Sequence, residues 1–164
     1  MTTIEVKKGD ILQRAGEKCK YAYYVKEGLL RSYTIDSKGK EHVYMFAPEG
    51  WYISDIDAQT FDAASELYID AIEDSVLERT LSSEIQLSKM ELNQEEALRI
   101  FKRASVLQRR IIMLLSASAR ERYEHFIQTY SDIVDRAPQK MIATYLGITP
   151  EALSKIRGEI ARGK

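Results

Sequence analysis

The sequence predicts an α+β chain: an N-terminal antiparallel β-barrel of the jelly-roll kind, a long helix, and a C-terminal helix-turn-helix. Three observations predict it. The first half is punctuated by glycines at 9, 16, 28, 39 and 50, spacings that suit short strands joined by turns. From about Ser88 the apolar residues recur every three to four positions instead of every two. The stretch QKMIATYLGITPEALSKIR at 139–157 carries the apolar contacts, small crossing residue and turn glycine of two helices meeting at a steep angle. The expected division is a barrel at 1–88, a long helix at 89–117 and a helix-turn-helix unit at 118–164.

Within the barrel, Tyr21 to Lys26, Leu29 to Ile35 and Glu41 to Ala47 are rich in Tyr, Val and other strand formers. Asp36 to Lys40 reads as a hairpin loop with Gly39 at a left-handed position, and Glu27-Gly28 as a tight turn. The pattern loosens from Trp51 to Glu66. Strands resume at Leu67 to Ile72 and Val76 to Leu81, so about eight strands in all are expected.

Gln94 to Ser116 contains no Gly or Pro, and Leu98, Phe101, Ala104, Leu107, Ile111, Met113, Leu114 and Leu115 form a wide apolar face. A helix of this length spans about 35 Å. That is more than a barrel of this size covers, so Leu98, Phe101, Ala104, Leu107, Ile111 and Leu114 are the expected interface of a homodimer. A helix folded wholly onto its own barrel is the alternative. Ala119 to Tyr130 reads as a further helix, and Asp132 to Pro138 as a linker.

In the motif itself, Ala143 supplies the small crossing residue and Gly147 the positive φ of the turn. Thr149 can cap the second helix, with Pro150 in its first turn, where a missing N–H costs little. Thr149, Pro150, Glu151, Ser154, Lys155 and Gly158 then form the outward face, the one that enters a major groove when such a motif reads DNA. An ordinary helical hairpin would use the same glycine and caps.

Composition narrows the rest. No apolar run is long enough to span a bilayer and MTTIEVKKGD lacks a signal-peptide core, so a cytoplasmic location and no membrane partner are expected. Cys19 is the only cysteine, so one chain can form neither a disulfide nor a four-thiolate cluster. The formal net charge of −1 conceals an asymmetry. Residues 1–82 hold 10 Lys and Arg against 15 Asp and Glu, net −5, whereas residues 83–164 hold 14 against 10, net +4. A polyanion is drawn to the half that carries the helix-turn-helix.

This order of parts resembles the bacterial Crp/Fnr family of transcription regulators. The residues that carry the resemblance are KKGDILQRAGE at 7–17, YVKEGLLRSY at 24–33, GKE at 39–41 and MIATYLGITPEALSKIR at 141–157. The resemblance implies a cyclic-nucleotide-binding-like barrel that senses an effector, a homodimer, a palindromic promoter site in double-stranded DNA, and RNA polymerase as a partner. It places the effector pocket at Gly50, Trp51, Ser54, Ser65 and Glu66, and the DNA contacts at Gln139, Lys140, Thr149, Pro150, Glu151, Ser154, Lys155 and Arg157.

The departures from the family pattern bear on the signal. Relatives that bind cyclic nucleotides hold the ribose with a Gly-Glu pair and the phosphate with an arginine; here Trp51 follows Gly50, and Ala63-Ala-Ser-Glu66 contains no arginine. Between Lys40 and Arg79 there is no Lys or Arg, whereas acidic residues recur from Glu49 to Glu78. A cyclic phosphate would enter a negative field with no cation to offset it, which argues against cyclic AMP. One cysteine argues against an iron–sulfur cluster, and haem would have to rely on His42, His125 or Cys19. No cofactor and no metal site are expected, and the residues do not identify the effector.

At the DNA end, Pro150 stands where many relatives carry an arginine that meets guanine. Glu151 keeps an acidic position suited to a cytosine amino group, and Lys155 and Ser154 can meet a base or a phosphate. Gln139, Lys140 and Arg157 suit backbone contacts. Eight residues follow Ile156, so the C-terminal β-wing of longer relatives is not expected. Two other readings are a regulator acting through protein contacts and a cupin-like enzyme; the latter needs clustered ligands, and His42 and His125 stand far apart in sequence. No enzymatic activity is expected.

Overall fold

The computed structural model describes residues 1–84 and 93–163. The expected boundary at 88/89 and the change of period near Ser88 lie outside the described residues. Among the described residues, eight strands and six α-helices follow in order: β1 (Thr2–Val6), β2 (Ile11–Gln13), β3 (Tyr21–Glu27), β4 (Leu30–Ile35), β5 (Glu41–Ala47), β6 (Tyr52–Ile53), α1 (Ile56–Thr60), β7 (Tyr68–Ala71), β8 (Ser75–Leu81), α2 (Gln94–Ser116), α3 (Ala119–Thr129), α4 (Ile133–Arg136), α5 (Gln139–Tyr145) and α6 (Pro150–Ala161). The expected fold class holds: two antiparallel four-stranded sheets, ordered β1-β8-β3-β6 and β2-β7-β4-β5, face each other. Val25, Leu30, Met45, Ile53, Ile69 and Leu77 fill the space between them.

The sheets close tightly at Gly28. Its φ is +99°, and a Cβ there would lie 2.2 Å from Ser75 Oγ, so only glycine lets the β3–β4 turn pass over the start of β8. The loose segment after Gly50 contains β6 and α1. Asp55 caps α1 by accepting from Ala58 N at 3.1 Å, and it also receives the Ser65 hydroxyl at 2.8 Å.

In the sheet β2-β7-β4-β5, strands β4 and β5 are covered on both faces. Its inner side chains belong to the barrel core, whereas Leu29, Tyr33, Val43, Phe46 and Ile72 join a second core with α3, α4, α5 and α6. A β-bulge makes this possible. Tyr33 pairs with Val43 but Ser32 pairs with Met45, so Tyr44 is an extra residue. The insertion reverses the alternation, and Val43 and Phe46 both face outward while Met45 and Ala47 face inward. Phe46 then meets Phe126 and Tyr145, with ring centroids 6.2 and 5.4 Å apart.

The helices start and stop as their sequences dictate. Ser118 and Glu121 form a capping box that opens α3. The expected linker at 132–138 contains the short helix α4, because Ile133 is buried and its N–H donates to Tyr130 O at 3.0 Å. Arg136 on α4 reaches back to the barrel, where it grips Glu49 at 2.8 and 3.0 Å and also pairs with Glu73. The Arg136 guanidinium holds the Glu49 carboxyl down to about 2.

Candidate nucleic-acid interface and sensor cavity

The helix-turn-helix is built by local rules. Leu146 ends α5, and Gly147 follows with φ +67°. Gly147 N donates to Thr144 O at 3.1 Å and Ile148 N to Ala143 O at 3.0 Å, the two bonds of a Schellman turn that only a glycine opens cheaply. Thr149 Oγ1 then accepts from Ala152 N at 3.2 Å, and Pro150 occupies the first helical position. Leu153 and Ile156 anchor α6 in the core alongside Ile142, Ala143 and Leu146.

That anchoring fixes which side faces out. Thr149, Pro150, Glu151, Ser154 and Lys155 are exposed, as are Gln139 and Lys140 at the start of α5, whereas Arg157 is half-buried. Glu151 is held ionised by a hydrogen bond from its own backbone N–H and by the Thr149 hydroxyl, so its carboxylate is oriented at the head of α6. Lys155 is loosely associated with Glu159 at 4.0 Å and its side chain is 79% exposed, which leaves the ammonium able to meet another anion.

The second site is a cavity of about 410 Å³ between the barrel and α2. Ser54 and Glu66 line it, together with Asp55, Asp57, Tyr44 and Met45, and α2 contributes Ile100, Ala104 and Leu107. Three expected pocket residues do not line it. Gly50 is held in a turn that donates to Val25 O at 2.8 Å. Trp51 wedges between the two cores, 6.2 Å from the Tyr130 ring. Ser65 is buried, with its hydroxyl spent on Asp55 and Leu67. The described lining carries carboxylates and no cation. His42 sits in the β4–β5 hairpin, its Nε2 2.8 Å from Asp36 Oδ2, and the Cys19 thiol is buried, which pushes its pKa up.

The long helix has two unlike sides. Leu98, Phe101, Ile111 and Leu115 are 51, 73, 59 and 82% exposed, and Ala104 is exposed too. Of the expected interface residues, Ala104 and Leu107 line the cavity, and Leu114, 40% exposed, has one side against the turn at Gly147. Ile100 and Ile112, absent from that expectation, are exposed.

The residue that sequence reasoning missed is Arg110. It donates to the carbonyls of Val43 at 3.0 Å and Tyr44 at 2.5 Å, both at the bulge, and to Tyr145 O at 3.0 Å at the end of α5. Its guanidinium carbon also lies 4.1 Å from the centroid of the Tyr145 ring, over the aromatic face. One side chain therefore ties the long helix to the barrel and to the helix-turn-helix. An arginine set between Leu107 and Leu114 in an apolar stripe is the signal that marked it.

Comparison with known proteins agrees with this geometry. Residues 3–77 match the cyclic nucleotide-binding domain family. Over 96% of its length the chain is 29% identical to the fumarate and nitrate reduction regulatory protein of Yersinia pestis, of which it covers 68%. The fold matches FixK2 from Bradyrhizobium japonicum with a TM-score of 0.78 at 18% identity, covering 99% of this chain and 85% of that one. It matches TTHA1359, a transcriptional regulator of the CRP/FNR family from Thermus thermophilus, with a TM-score of 0.73 at 21% identity, covering 99% and 87%. The fold is thus the one shared by barrel-and-helix transcription regulators. In particular, the chain is similar to Crp/Fnr regulators along nearly its whole length, as its motifs implied. No described helix is long and apolar enough to cross a membrane.

Proposed function

We propose that the chain is a homodimeric, sequence-specific DNA-binding regulator that inserts α6 into the major groove. The observation that carries this reading is the exposed face Thr149, Pro150, Glu151, Ser154 and Lys155 on a helix anchored by Leu153 and Ile156. Glu151 suits a cytosine amino group, Lys155 a guanine or a phosphate, and Gln139, Lys140 and Arg157 the backbone on either side. The uncovered apolar side of α2 supplies the dimer seam, which pairs two recognition helices on a palindrome at a promoter, where RNA polymerase is the further partner. The cavity between barrel and α2 takes a small-molecule effector. With carboxylates and no cation in its described lining, an uncharged or cationic ligand fits better than a cyclic nucleotide.

Selection of bound duplexes from a random pool tests this. An enriched palindrome with half-sites about 34 Å apart is expected. Lys155→Ala is expected to weaken the selected site by about 1–3 kcal/mol and to relax one position per half-site. A pool without enrichment, or one unchanged by Lys155→Ala, rejects α6 as the reader.

A further inference from the structure

The uncovered apolar stripe of α2 carries a polar residue at its centre. Phe101 and Leu115 are the two most exposed large apolar side chains of the helix, at 73 and 82%, and Gln108 stands seven residues from each. Ala104 and Ile111, both exposed, fill the places between, so 101, 104, 108, 111 and 115 follow the alternating three-and-four spacing of a two-stranded seam. About half a turn around the helix lie Val106, Arg110 and Met113, which meet α3 and the end of α5 within the same chain. The stripe is therefore the side of α2 that points away from its own chain. Gln108 is exposed on it, and its amide has no hydrogen-bond partner among the described residues.

We propose that Gln108 sets the register of the dimer, its amide pairing with Gln108 of the partner subunit between two parallel α2 helices. The inference rests on the homodimer proposed above and adds the residue that aligns it. A side-chain amide carries both donors and acceptors, so it complements its own copy. Burial of Phe101, Ile111 and Leu115 is non-directional and favours pairing at many registers. The amide is not so tolerant. A slip of one heptad sets Gln108 against Phe101 of the partner subunit, which leaves a buried amide without its hydrogen bonds. A polar residue at such a position therefore trades stability for a single alignment. The alignment matters at the far end of the molecule. One heptad of helix is about 10 Å long, so a slipped pair holds its two recognition helices out of step by that distance. Half-sites about 34 Å apart do not accommodate such an offset.

Disulfide trapping of the whole chain reads the register, and sedimentation equilibrium reads the strength of the seam. Ala104→Cys and Ile111→Cys chains are mixed, allowed to exchange and oxidised; with Gln108 in place they are expected to join like with like. The wild-type chain, whose thiol at Cys19 is buried, serves as the uncross-linked control. In Gln108→Leu the mixed disulfide forms as readily as the like pairs, and the dissociation constant of the dimer falls by about tenfold. Gln108→Asn, which keeps an amide, retains the like-with-like pattern. Gln108→Glu sets two carboxylates against each other and raises the dissociation constant by about tenfold at neutral pH. Circular dichroism of every variant should match the wild type, because the Gln108 side chain is exposed in the single chain. Three results overturn the assignment while leaving the dimer standing: mixed disulfides as frequent as like pairs with Gln108 present, like-with-like pairing that persists in Gln108→Leu, or a dissociation constant that moves less than about twofold in both Gln108→Leu and Gln108→Glu. A wild-type chain that is monomeric at micromolar concentration overturns the homodimer and the assignment together.

Discussion

The seam between barrel and helix-turn-helix and the outer face of α2 are both apolar, but only the seam is finished within one chain. In the seam, Phe46, Phe126, Tyr130 and Tyr145 stack ring against ring, Arg110 satisfies the carbonyls freed by the bulge, and Arg136 clasps Glu49 and Glu73. On α2, Leu98, Phe101, Ile111 and Leu115 have no such cover from the described residues. The contrast teaches that apolar periodicity marks a surface to be buried without saying what buries it. Polar satisfaction marks the surface already closed.

The contrast can be broken first at its centre. Phe126→Ala removes a ring only 1% exposed, and a loss of about 3–5 kcal/mol is expected in urea unfolding. Because the core is shared, Trp51 fluorescence and helical circular dichroism should move together; separate transitions would show two independent units. Phe101→Glu should do the opposite. It leaves the fold of the chain intact and shifts sedimentation equilibrium at micromolar concentration from dimer to monomer, and an unchanged assembly would mean that α2 is not the seam between copies.

Arg110→Met tests the rivet. It fills similar space but leaves the carbonyls of Val43, Tyr44 and Tyr145 without their donor, and about 1–3 kcal/mol of stability should be lost. A change below experimental error would reduce Arg110 to packing alone. The smallest effect concerns pH. Glu49 titrates at about 2 in the folded chain against an ordinary 4.5, so its clasp is fully formed above about 4.5 and is lost as pH falls toward 2. With Glu49 46% exposed, the contribution is under about 1 kcal/mol. Glu49→Gln should flatten the acid limb of the stability curve over that window, and an identical limb would discount the clasp.

Much of the candidate DNA interface was legible because its signals are local. Gly147, Thr149 and Pro150 act within a few residues of themselves, and Leu153 and Ile156 set the buried side of α6 by helical spacing alone. The pocket was less legible. Ser54 and Glu66 reach the cavity, but Gly50, Trp51 and Ser65 lie close to them in sequence and are used for a turn, a wedge and a buried hydrogen bond. Neighbourhood in sequence gave no guide there, since a two-residue strand and a five-residue helix redirect the chain between them.

By itself the sequence determined strands β3, β4, β5, β7 and β8, the long helix and α3, their order, and the capped turn that presents α6, because glycine conformations, caps and apolar periods act over short spans of chain. Only the tertiary structure decided that β4 and β5 are covered on both faces, that Leu107 lines the cavity, and that Arg110 and Arg136 join barrel to helices. Each of those outcomes depends on residues distant in sequence meeting across a bulge or a turn, and no local pattern encodes which partner arrives.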